Sequence, residues 1–302
     1  MIDIIMDTDM GVDSDDAVAL ALLMSLQKRG DICVRAVTTS SSREGASACV
    51  QAIMRFYGAE APLAQMQPPG LACDRINNYA RAVMKRYSCL DAQESPVPLL
   101  RKILSQREGQ IILATGPLTN IAQLLSSPPD SICALDGMQL VRRSVTMLYS
   151  MAGCFDGGSP EWNVLQDIPA AQYVFRHCPV PVTVVPFETG SGVRTGSPFR
   201  LIPDHPVWYA MKCFAVNEFG VSFAENNVAR DSWDPITAML ASGRGEDLFL
   251  YERGTVHIEN DGTSGFRKSE CGMHTIVRPK ASRRSVRQAI DTILQNSSPA
   301  SD

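Results

Sequence analysis

The chain has 302 residues, 45% of them hydrophobic, and a formal net charge of -4. That length supports a large buried core, while the charge offers no electrostatic footprint for nucleic acid and no basic amphipathic segment for a membrane surface. No signal-peptide pattern precedes Asp3 and Asp7, no apolar run reaches bilayer length, and the nine cysteines are scattered without a C-x-x-C pair. The sequence therefore predicts reduced thiols in a cytoplasmic protein whose partner is a small molecule.

In chain order, the apolar run Ile4-Ile5-Met6 leads into Asp7, Asp9, Asp13, Asp15 and Asp16, and an apolar helical pattern follows over about 14–27. This reads as strand, acidic turn and helix. With a period of two along the strand, Asp7 and Asp9 fall on one face; Asp15 and Asp16 open the helix, where its dipole favours negative charge. Carboxylates so crowded repel one another unless a cation compensates, and a divalent metal ion is the simplest choice. A β-branched strand at 32–39 ends in the polar run 40–43, and a helix follows at 44–57. Strand, helix, strand, helix is a βαβ pattern with its ligand crevice at the C-terminal strand ends.

Residues 59–76 read as a surface loop, with helices near 77–87 and 97–107. A buried strand at 110–114 precedes Thr115-Gly116-Pro117-Leu118-Thr119-Asn120 and a helix at 121–125. A strand at 146–151 opens into a glycine-rich loop ending in Glu161-Trp162-Asn163, and a helix at 169–177 leads to a strand at 182–185. Asp234 starts a helix over 235–240 with proline in its first turn. Short antiparallel strands at 249–251, 255–258 and 273–277 and a closing helix at 283–296 complete an α/β chain. No repeat or linker divides it, so a single domain over 1–302 with a mixed, mostly parallel central sheet flanked by helices is predicted.

The acidic turn follows a strand and lacks the glycine and bidentate glutamate of an EF-hand calcium loop. An Asp-x-Asp after the first strand also suits a haloacid-dehalogenase-type phosphatase, but leaves Asp15 and Asp16 unexplained. Asp7-Thr8-Asp9-Met10-Gly11 with Asp15-Asp16-Ala17 resembles the signature Asp-x-Asp-Pro-Gly-x-Asp-Asp-Ala of the inosine–uridine nucleoside hydrolase family. Two additional residues, Asp13 and Ser14, lie inside the turn, and Met10 stands at the proline position. Three more segments match in order: Thr115-Gly116-Pro117-Leu118-Thr119-Asn120, Glu161-Trp162-Asn163, and Ser232-Trp233-Asp234-Pro235.

The resemblance implies a nucleoside hydrolase fold with a Rossmann-like core, often a homodimer or homotetramer. It also implies calcium-dependent cleavage of a ribonucleoside, or a related N-ribosyl compound, to base and ribose, in purine or pyrimidine salvage. By position, the metal ligands are Asp9, Asp16, Asp234 and the carbonyl of Thr115, an all-oxygen set suited to calcium. Asp9 is the implied general base and Asp7 supports from behind. Asp15, Glu161, Asn163 and Asp234 hold the ribose, and Trp233 stacks on the base. A catalytically silent nucleoside-binding protein is the alternative.

Departures from the family pattern fall in the segments that contact substrate. The polar run 40–43 stands where an asparagine is usual, a shorter loop at 155–158 omits another, and Asn77-Asn78-Tyr79 replaces a histidine-containing loop. Trp233 occupies the position of the usual histidine acid. None of His177, His205, His257 and His274 lies in a matched segment. Asp13 has no role in this reading.

Overall fold

The computed structural model describes residues 1–71, 78–224 and 228–295. Strand β1 (Ile2–Thr8) alternates its side chains between two cores: Ile4 and Met6 join one, Ile5 the other. Helix α1 (Asp15–Lys28) is buried from Asp15 to Leu26, as an apolar helix enclosed on all sides must be. β2 (Ile32–Thr39) pairs in parallel with β1, α2 (Ala46–Phe56) follows, and β3 (Leu63–Gln65) adds an edge strand inside the segment predicted as loop. Three residues are too few to reveal an alternation, so the strand is set by pairing with β2 rather than by local pattern.

Helices α3 (Tyr79–Tyr87) and α4 (Pro96–Gln106) precede β4 (Gln110–Ala114), which pairs with β1 on the side opposite β2. Then come α5 (Thr119–Leu125), α6 (Gly137–Ser144), β5 (Val145–Met151), α7 (Trp162–Gln166), α8 (Ile168–His177), β6 (Val182–Val185) and the single turn α9 (Phe187–Gly190). The reading of the sequence lacked α6, although Asp136 and Gln139 form a capping box there. Beyond β7 (Arg194–Thr195), α10 (Pro206–Phe219), β8 (Arg230–Asp231) and α11 (Trp233–Ala241), the chain forms β9 (Phe249–Ile258), β10 (Ser264–Lys268), β11 (His274–Pro279) and α12 (Arg283–Leu294). The two short strands expected at 249–258 are one. Gly254 lets it continue under β10, since a Cβ there would meet the Arg267 carbonyl oxygen at 2.3 Å. β11 is antiparallel to β9, as expected, but parallel to β6.

Among the described residues the resulting sheet has nine strands in the order β10-β9-β11-β6-β5-β4-β1-β2-β3, with β9 alone reversed. The fold is α/β around a mixed, mostly parallel sheet, with helices on both faces. Among the described residues no helix is long and apolar enough to cross a membrane, and the cysteines are free thiols. Residues 296 and Asn77, at the ends of two predicted helices, lie outside the described residues.

His205 ties α10 to α2. Its Nδ1 accepts the Val207 N–H at 3.2 Å, Nε2 lies 3.2 Å from the Tyr57 hydroxyl, and Phe56 and Phe199 pack on the ring. Burial pushes its pKa down from 6.5 to about 3, so the unfolded chain takes a proton that the folded chain refuses. Stability is therefore lost as pH falls below 6.5, by about 1.4 kcal/mol per unit until the folded pKa is reached. His205→Asn retains an acceptor for Val207 but not the titration. Urea unfolding should show the wild-type advantage over this variant shrinking by about 2 kcal/mol between pH 7.5 and 5. A constant difference would refute the assignment.

Candidate active site

Because β1 pairs with β2 on one side and β4 on the other, the strand order reverses between β1 and β4. A crevice opens at their C-terminal ends, the usual ligand position in such a sheet. The turns after β1 and β4 approach closely: a Cβ on Gly116 would lie 2.7 Å from the Asp9 amide nitrogen and 2.4 Å from Ser40 Oγ. Thr8 Oγ1, at the end of β1, donates to Asp16 Oδ1, and Thr115 Oγ1, after β4, donates to the same oxygen at 3.0 Å. Asp15 turns the other way, and its Oδ2 accepts the N–H groups of Trp233 and Asp234, both at 3.1 Å. Thus α1 and α11 point their N-termini at one carboxylate cluster, and both dipoles favour its negative charge.

Asp15, Asp16 and Asp234 offer oxygens within 4.8 Å of one another, and all three are buried. Asp9 lines the same crevice within reach of Asp16. Burial, followed by its neighbours' charges, raises the pKa of Asp15, Asp16 and Asp234 well above the carboxylate range. For Asp9 burial does most of the raising, to about 7, with Asp13 and Glu161 adding to it. Asp7 faces away from the crevice. Its Oδ1 accepts Thr38 Oγ1 at 2.5 Å and Asn120 Nδ2 at 2.7 Å, and burial raises its pKa to about 7. The two aspartates expected on one strand face are therefore separated, because β1 ends at Thr8 and Asp9 is already in the turn.

Glu161 is the N-cap of α7, accepting the N–H groups of Asn163 at 2.8 Å, Gly153 at 3.1 Å and Val164 at 3.2 Å. Asn163 Nδ2 donates to the Thr115 carbonyl at 2.9 Å and the Met151 carbonyl at 3.2 Å. A carbonyl oxygen has two lone pairs, so Thr115 keeps one acceptor site beside Asn163. Trp233 is fixed by its Nε1 donating to the Phe187 carbonyl at 2.7 Å, and its ring stacks on Phe187 with centroids 5.4 Å apart. Gly190 lies beneath it, where a Cβ would be 2.4 Å from the indole. Phe187 and Trp162 line the crevice with Trp233.

Asp13 forms a two-pronged ion pair with Arg230, Nε to Oδ1 at 2.8 Å and Nη2 to Oδ2 at 2.5 Å, and both residues line the crevice. Tyr79 holds the inserted turn, donating its hydroxyl to the Asp13 carbonyl at 2.8 Å and accepting the Gly11 N–H at 3.0 Å. Gly11 has φ +107°, which only glycine adopts without strain. The crevice thus gathers Asp9, Asp15, Asp16, Thr115, Glu161, Asn163, Trp233 and Asp234, but not Asp7. The polar run 40–43 is absent from its described lining; Ser42 instead donates to the carbonyls of Gly70 and Leu71. Sequence reasoning did not assign Arg230, Trp162 or Phe187. Phe187 had a signal, since it follows a parallel strand at its C-terminal end.

The 185-residue match to the non-specific ribonucleoside hydrolase RihC of Salmonella agona is 30% identical, and it spans 57% of this chain and 57% of that protein's length. In three dimensions the chain resembles a plant nucleoside hydrolase, PpNRh1, with a TM-score of 0.73 and 21% identity over 97% of this chain and 99% of the other. It also resembles the type III effector XopQ, solved with adenosine diphosphate ribose, with a TM-score of 0.68 and 15% identity over 98% and 93% of the two chains. At these identities the structural likenesses establish the fold. The family model described as inosine-uridine preferring nucleoside hydrolase matches residues 4–292, and the chain belongs to that family.

Proposed function

We propose that this chain is a calcium-dependent nucleoside hydrolase that splits the N-glycosidic bond of a ribonucleoside, or a related N-ribosyl compound, into base and ribose. The observation that carries the reading is the buried carboxylate cluster at the α1 and α11 N-termini, in a crevice that Trp162, Phe187 and Trp233 also line. The donors fit a hard cation: every candidate is an oxygen, and no histidine or cysteine is among the described residues lining the crevice. Asp9, Asp16, Asp234 and the Thr115 carbonyl would hold calcium, which when bound supplies a water of lowered pKa.

Asp9 would act as general base, taking a proton from the attacking water as its oxygen bonds to C1′. Asp15, with Oδ1 left over from capping α11, binds ribose hydroxyls together with Asp234, Glu161 and Asn163. The same carboxylates stabilise the positive charge that builds on the sugar ring. Trp233, with Phe187 and Trp162 beside it, stacks on the base, which is worth roughly 1–3 kcal/mol. Asp7 keeps the floor of the crevice in place. The phosphatase alternative lacks its catalytic lysine, since none is among the described lining residues.

The test is a panel of purine and pyrimidine ribonucleosides assayed for reducing sugar with calcium and with chelator. Release of ribose from at least one nucleoside, lost on chelation and restored by calcium, is expected. Tight nucleoside binding without turnover would select the silent binding protein, and failure to retain any divalent ion would overturn both.

A further inference from the structure

As the glycosidic bond breaks, its electron pair moves onto the base nitrogen, and something in the crevice must neutralise that charge. Histidine is the obvious donor, yet His205 is committed to Val207 and Tyr57, and His274 Nδ1 accepts the Val256 N–H. His177 and His257 are exposed on α8 and β9. No histidine, lysine or tyrosine is among the described residues lining the crevice; Arg230 is the one cationic side chain there.

Its placement is built from several directions. Asp13 takes Nε and Nη2, and Nη1 has no hydrogen-bond partner among the described residues. The guanidinium carbon lies 4.9 Å from the Trp233 ring centroid, 5.4 Å from that of Phe214 and 5.9 Å from that of Phe219. The neighbouring rings and a carboxylate on one edge restrain the group and leave Nη1 unpaired among the described residues. Asp13 is one of the two residues added to the family turn, and Tyr79 anchors it. Arg230 thus joins the insertion, through its ion pair with Asp13, to Trp233 at the position of the usual histidine, over whose ring it lies.

We infer that Arg230, held in place by Asp13, is the leaving-group stabiliser of this enzyme: its Nη1 donates a hydrogen bond to the departing base and its charge neutralises the anion. This rests on the hydrolase reading above. The step balances without a general acid. The water oxygen bonds to C1′, the C1′–N bond breaks with its electron pair going to the base, and the water proton goes to Asp9. The base leaves as an anion paired with Arg230 and is protonated by solvent, and Asp9 returns its proton to solvent. Guanidinium keeps its proton throughout; burial alone would lower its pKa, but Asp13, Asp15 and Asp231 raise it further.

A pair of substrates separates this role from a structural one. Nitrophenolate is a stable anion that leaves unaided, so 4-nitrophenyl β-D-ribofuranoside needs little from Arg230, whereas a nucleoside needs much. With calcium saturating, Arg230→Gln should lower kcat on a nucleoside by about 10²–10³-fold, in the range of other lost charge-stabilising donors. Its loss on the nitrophenyl riboside should be far smaller. Arg230→Lys should recover part of the nucleoside rate, and Asp13→Asn should fall between wild type and Arg230→Gln. Calcium-induced stabilisation retained in each variant establishes folding. Equal losses on the two substrates, or no loss on the nucleoside, would overturn the role. A wild type that cleaves the nitrophenyl riboside but no nucleoside would overturn the nucleoside reading and this role with it, whereas equal losses in the variants would leave that reading standing. A wild type that cleaves neither would overturn that reading and this role with it.

Discussion

Asp16→Asn is expected to raise the melting temperature of the metal-free protein while abolishing its response to calcium and lowering nucleoside hydrolysis by at least about 10³-fold. The substitution preserves shape: Thr8 and Thr115 both donate to Oδ1, which asparagine retains. It removes an ionisable group from a buried cluster in which burial, and then the charges of Asp9 and Asp15, raise the pKa of Asp16 well above its usual range. A folded pKa above the unfolded value of 3.8 means that stability is fully present below about 3.8 and is lost as pH rises. The metal-free wild type should therefore lose more stability than the variant between pH 4 and 8, and each kcal/mol corresponds to roughly 2–4 °C. Calcium at about 1,000 times its dissociation constant adds about 4 kcal/mol to the wild type. Scanning calorimetry of both proteins with and without calcium reads both effects. A metal-free variant that melts below the wild type, or one that calcium still stabilises, would contradict the cluster's assignment.

Asp9→Ala should reduce kcat by about 10²–10⁴-fold, the range for loss of a positioned general base. Asp9 lines the crevice, is buried, and carries a pKa raised to about 7, first by burial and then by Asp13 and Glu161. A carboxylate so placed is a stronger base than a solvated one. Its loss also weakens cation binding, and a calcium titration separates the two contributions. If rate returns to the wild-type level at high calcium, Asp9 is a ligand only. A kcat that stays depressed at saturation identifies the base.

The parts of the site that were legible in the sequence are those written into single local segments. The acidic turn, the Thr-Gly-Pro turn, Glu161 with Asn163, and Trp233 with Asp234 each sit at the end of a strand or the start of a helix. There the backbone leaves polar groups unpaired and the sequence must answer with specific side chains. The long strands β1, β2 and β4 were legible for the same kind of reason: their apolar runs match burial on both faces of a parallel sheet. The Asp13–Arg230 pair was not, because its partners are 217 residues apart and each alone is an ordinary surface residue type. Tyr79 stood at the start of a predicted helix with no role assigned to it, and its hydroxyl acquires meaning once α3 is laid across the turn. α10 and β10 passed unnoticed. α10 is buried along one side and carries exposed Phe219 at its end, a mixture that blurs periodicity, and β10 has only a partly buried face.

Asp15 capping α11 has a consequence for biosynthesis. The two ends of that contact are 219 residues apart, so the carboxylates of the first turn cannot be enclosed until Asp234 has left the ribosome. While the earlier strands pair, Asp15 and Asp16 remain hydrated and their repulsion is screened by water. The burial of this carboxylate cluster is thereby postponed to the arrival of α11, and the nascent chain has no closed cation pocket at this turn to fill before then.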